Sequence, residues 1–110
     1  MVDSDIRIYH HPNPQIKSFL TTEEIFAPRV EAFKKPLDRE MEDVLKQIGS
    51  IPRQVVRDVM SIPGVLEIRI KPKEIRMKKK ESASWGNIEG QVVEILKRAI
   101  KRRQIRVIKG

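Results

Sequence analysis

Val65-Leu66-Glu67-Ile68-Arg69-Ile70-Lys71-Pro72-Lys73-Glu74-Ile75-Arg76-Met77-Lys78 alternates apolar and charged side chains on both sides of a short proline-containing break. Period-two alternation over five or six residues marks a strand with one buried face. Two such runs joined by Lys71-Pro72-Lys73 predict an antiparallel β-hairpin, Val65–Ile70 with Glu74–Lys78. One face would carry Ile68, Ile70, Ile75 and Met77, so something apolar must cover it.

The flanking segments supply that cover. Upstream of Pro63-Gly64, the stripe Ile51, Val55, Val56, Val59, Met60 recurs at helical spacing, with Ser50 and Pro52 in the first turn. Before it, Leu37, Met41, Val44, Leu45 and Ile48 predict an amphipathic helix over Leu37–Ile48 that Gly49 stops. Downstream, Ser82 or Ser84 is placed to cap a helix bearing Trp85, Ile88, Val92, Ile95, Leu96, Ala99 and Ile100 on one side. The closing run Gln104-Ile105-Arg106-Val107-Ile108 alternates and predicts an edge strand. Further out, Ile6–His10 and Ile16–Leu20 read as strands joined by the stiff corner Pro12-Asn13-Pro14, and Val30 and Ala32 suggest a third. The order is that of an α+β two-layer sandwich, a mainly antiparallel sheet with helices packed on one face.

Composition excludes several chemistries. With 110 residues and 39% apolar content the chain predicts a single soluble domain. It has no cysteine, which removes disulfides, thiolate metal sites and cysteine nucleophiles together. No apolar run approaches the roughly 20 residues that span a bilayer. The segment Met1–Asp5 is acidic and has no signal core, which predicts a cytoplasmic location. His10 and His11 are neighbours on an extended chain and face apart, so they read as strand and turn residues and not as a metal pair.

The net charge of +8 is one-sided: up to Ile62 there are nine Lys/Arg against ten Asp/Glu, and from Pro63 onward fourteen against five. Such asymmetry fits an acidic partner, and equally a solvated charge-rich face of the kind that aids thermal stability. The expected surface is Lys71, Lys73, Arg76, Lys78 and Lys80.

Taken in order, Pro12-Asn13-Pro14 followed by Lys17 and Phe19, then Lys35-Pro36-Leu37-Asp38, then Ile62-Pro63-Gly64-Val65, then Ser84-Trp85, make a set of corners along the chain. This ordered set resembles the N-terminal domain of NifU-like (Nfu) iron–sulfur scaffold proteins, over about residues 6–100. His11, Lys35 and Ser84 stand where the family pattern has threonine, serine and aspartate, and residues 40–61 look like an insertion. The motif residues carried over are Pro12, Asn13, Pro14, Phe19, Pro36, Leu37, Pro63, Gly64, Val65 and Trp85. The family's cluster-carrying module, with its C-x-x-C motif, has no counterpart in this sequence. The resemblance therefore implies the N-terminal half alone, an accessory in iron–sulfur cluster assembly or delivery that works through contacts with assembly or recipient proteins. Iron binding enters at the level of the family; the chain itself is expected to ligate no cofactor or metal.

Two other classes compare poorly. No G-x-S-x-G, G-x-G-x-x-G or phosphate loop occurs, and the only imidazoles sit in the proline corner, so no catalytic residues and no enzyme activity are expected. A basic nucleic-acid-binding module is the stronger rival, with Lys71 to Lys80 and Arg98 to Arg103 as phosphate contacts. An aromatic content of 5% leaves it without an interleaved stacking platform.

Overall fold

The computed structural model describes residues 5–109. Five strands, β1 (Ile6–His10), β2 (Ile16–Thr21), β3 (Glu31–Lys34), β4 (Val65–Lys71) and β5 (Glu74–Lys79), form one sheet in the order β1-β2-β5-β4-β3. Every pairing is antiparallel. Helices α1 (Arg39–Gln47) and α2 (Ser50–Met60) follow β3, and α3 (Trp85–Lys109) follows β5. The chain thus has the expected α+β architecture.

The central hairpin closes where the alternation breaks: Lys71 pairs with Glu74, leaving Pro72-Lys73 as the turn. Opposite residues share a face, so the row Phe33–Ile68–Met77 and the row Ile70–Ile75–Phe19 both point the same way. These six are buried together with Val55, Val56, Val59, Val92 and Leu96 of the helices, in a single core. A bulge between Val65 and Glu67 shifts the register by one and turns Val65 onto that buried face as well.

Helix α1 begins two residues later than its apolar pattern suggests, because Asp38 caps it: the carboxylate accepts from the Met41 N–H at 2.9 Å. Gly49, at φ +97°, ends α1 and serves as the N-cap of α2, a conformation that side-chain-bearing residues rarely adopt. Ser50 is consequently the first helical residue of α2 and not its cap.

Two sequence expectations are corrected. The predicted edge strand at 104–108 is helix, since α3 continues to Lys109. Beyond Gly90 no glycine or proline intervenes, and adding a residue to an existing helix is far easier than nucleating a new element. The third strand exists, but on the other alternation: Phe33 is buried, while Ala32 and Val30 are exposed.

Candidate interaction surface

The corners singled out in the sequence converge at one end of the sheet. Asn13 folds the first of them, its side-chain Oδ1 accepting from the Gln15 N–H at 2.9 Å and its carbonyl from the Ile16 N–H at 3.0 Å. The neighbouring Pro14 carbonyl accepts the indole N–H of Trp85 at 2.7 Å. Across the same end, the Lys80 N–H donates to the Gly64 carbonyl at 2.8 Å, and the Lys35 ammonium to the Ile62 carbonyl at 3.3 Å. Gly64 has φ +95°, and a Cβ there would lie 2.6 Å from the Ala83 Cβ. Only glycine lets the two segments approach so closely.

Trp85 is half-buried, packed against the core instead of being enclosed by it, with its ring centroid 6.5 Å from that of fully buried Phe19. The Lys17 and Lys79 ammonium groups lie 5.2 and 6.0 Å from its ring centroid. Lys17 also pairs with Glu89 of α3, which ties the first turns of that helix to β2. Leu37 packs against the core, Val65 lies inside it, and Pro12, Asn13, Pro14, Pro36 and Pro63 remain exposed around the rim. The motif residues therefore build a corner, in which the carbonyls of Asn13, Pro14 and Gly64 accept hydrogen bonds from Ile16, Trp85 and Lys80.

One group at this end is perturbed. Partial desolvation, and secondarily the charge of Lys80, hold the Lys35 ammonium below the ordinary lysine value.

The charged surface is the sheet face opposite the helices. Its central row runs Ala32–Arg69–Arg76–Ser18–Tyr9 across all five strands. On one side lies Lys34–Glu67–Lys78–Ile16, and on the other Lys71–Glu74–Leu20–Arg7. Lys78 pairs with Glu67 and Lys71 with Glu74, each at 3.8 Å. No ion pair among the described residues neutralises Arg69, Arg76 or Arg7. A depression of about 230 Å³ lies over the middle of the face, lined in part by Ile16, Ala32, Arg69 and Arg76.

Ser18, almost wholly buried in this row, donates to Glu74 Oε2 at 2.6 Å and lies 2.8 Å from His11 Nε2. Because its proton goes to Glu74, His11 donates to the hydroxyl oxygen and does not act as its base. Among the described residues no group of three or more His, Cys, Asp or Glu stands close enough to hold a metal ion.

Of the cations expected to share one surface, Lys71, Arg76 and Lys78 do so. Lys73 sits in the hairpin turn and Lys80 lies beyond the far end of β5, so the structure does not bring these two to the central row. Arg69 and Arg7 were missed. Arg69 lies in the same alternation as the residues chosen, but only the β4–β5 register shows that it stands directly opposite Arg76.

The family model for the N-terminal domain of the scaffold protein Nfu/NifU matches residues 6–103. The chain belongs to this family. Among solved structures, the Nfu-type chain is similar in fold to a NifU-like protein from Saccharomyces cerevisiae determined by solution NMR. The match has 19% identity, covers 87% of this chain and 81% of that one, and has a TM-score of 0.59. It is likewise similar to protein SAV1430 from Staphylococcus aureus, known from an X-ray structure, with 16% identity, coverage of 84% and 98%, and a TM-score of 0.57. No curated protein matches the sequence significantly. Family membership ties the domain to iron–sulfur cluster biology.

Proposed function

We propose that this Nfu-type domain serves iron–sulfur cluster assembly or delivery as a docking accessory, binding a protein that carries or receives the cluster and not holding the cluster itself. The observation that carries this reading is the family match over residues 6–103. The absence of cysteine supports the second half of it, because a cluster without thiolates lacks its ordinary ligands. The domain acts by contact and not by catalysis, with the cluster as cargo on its partner. A rigid corner fixed by Trp85 and Pro14 leaves the sheet's charged face free to meet that partner.

The test is quantitative co-purification from native cells after cross-linking, against a control protein of matched charge. Enrichment of iron–sulfur assembly proteins or of cluster-containing recipients supports the proposal. Enrichment of nucleic acid and its binding proteins alone overturns it.

A further inference from the structure

We propose that the central row of the open sheet face, Ala32–Arg69–Arg76–Ser18–Tyr9, is the docking site for an acidic protein segment, with a carboxylate gripped between Arg69 and Arg76. This rests on the reading of the domain as a docking accessory and specifies its surface and the chemistry of its partner.

Arg69 and Arg76 are directly opposite one another on adjacent strands. Like charges so placed destabilise a sheet, and no carboxylate of the described residues pairs with either. Each flanking row, in contrast, has its own Lys–Glu pair, Lys78 with Glu67 and Lys71 with Glu74. Lys34 and Arg7 leave each flanking row with one positive charge in excess, whereas the central row has two and no carboxylate. Side chains directly opposite start about 5 Å apart at Cβ, so two guanidinium groups can close on one carboxylate with charge-assisted hydrogen bonds. On the β3 side the pair is flanked by exposed Ala32, which leaves room for an incoming backbone, and on the β2 side by Ser18, which His11 and Glu74 cover. At the end of the row Tyr9 is 53% exposed, an amphipathic ring of the kind enriched at protein contacts.

The same pattern selects among acidic partners. A phosphate backbone needs an unbroken cationic track and is aided by stacking rings. Here Glu67 and Glu74 interrupt the track on both sides, and the described rings on this face, Tyr9 with His11 edge-on to it, sit together at one end and do not interleave with the cations. A discrete carboxylate flanked by residues of mixed charge fits better. A second copy is disfavoured, since each carries +8. Five strands at about 4.8 Å spacing, four to seven residues long, offer roughly 400 Å², half of what one side of a stable interface buries. The contact is therefore brief and salt-sensitive.

The experiment titrates the isotope-labelled full chain with oligoglutamate, and separately with oligothymidylate of equal charge, while recording backbone amide shifts. Oligoglutamate is expected to move the amides of Ala32, Arg69, Arg76 and Ser18, less so as sodium chloride rises. Arg69→Gln/Arg76→Gln should weaken binding by about tenfold, whereas Lys101→Gln/Arg102→Gln, an equal loss of charge on α3, should change it less than about twofold. Shifts centred on α3, equal weakening by both variants, tighter binding of oligothymidylate on the same face, or dimerisation through this row would each overturn the proposal. If the row binds oligoglutamate while the domain co-purifies with no iron–sulfur protein, the docking site stands and the proposed function fails. If iron–sulfur partners are captured equally by wild type and Arg69→Gln/Arg76→Gln, the function stands and this site fails.

Discussion

Trp85 at the start of α3 donates its indole N–H to the carbonyl of Pro14, 71 residues earlier, and so fastens the longest helix to the corner between β1 and β2. Two motifs that are far apart in sequence thus become one structural joint, which explains why a tryptophan suits this place better than another large apolar residue.

Trp85→Phe keeps most of the ring packing and loses the hydrogen bond. It should cost about 1 kcal/mol. Trp85→Ala, which also removes contact with Phe19 and the core, should cost about 3 kcal/mol, the low end for a large aromatic because the ring is only half-buried. Urea denaturation midpoints at constant m-value measure both.

Two glycines should respond in opposite directions. Gly64→Ala places a side chain at φ +95° and against Ala83, and is expected to destabilise by about 2–3 kcal/mol. Gly90→Ala meets no atom within 4 Å on its exposed helical face and should stabilise by up to about 1 kcal/mol. Thermal unfolding of the two variants side by side tests the assignment of the 62–65 corner as a close crossing.

Lys35 should titrate below the ordinary value of 10.5, through desolvation first and the charge of Lys80 second. In the pH interval between its folded and unfolded values the folded chain binds fewer protons, so its contribution to stability improves as pH rises through that interval and is least favourable below it. Lys80→Gln should raise the Lys35 pKa without restoring it fully. Amine-detected NMR titration follows the group directly.

Anaerobic incubation with iron and sulfide should give no cluster absorption on this chain, since it has no thiolate and His11 is already engaged with Ser18. A stoichiometric charge-transfer band lost in His10→Ala/His11→Ala would show ligation by another route.

Much of the fold was legible in the sequence because strong local patterns coincide with it. The 65–78 hairpin and the strands at 6–10 and 16–21 each have a buried face, and the alternation reports it. The run at 104–108 alternates too, but there the competing fact is nonlocal: α3, already established, reaches it from Gln91 onward without a glycine or proline. Around β3 a four-residue strand offers too few positions for the pattern to choose a face, so Val30 and Ala32 pointed the wrong way and Phe33 decided it. The candidate surface was half legible. Alternation placed Lys71, Arg76 and Lys78 together, whereas the opposition of Arg69 and Arg76 depends on register, and the separation of Lys73 and Lys80 depends on where the strands end.

The proposed function requires that the domain speed cluster traffic by docking. Its most direct test is the rate at which a cluster-loaded C-x-x-C module passes its cluster to an apo recipient, measured by circular dichroism with and without the domain. Transfer should be faster with the wild-type chain, most of that gain should be lost in Arg69→Gln/Arg76→Gln, and no cluster should be found on the domain itself. A transfer rate indifferent to the domain would contradict the proposed function.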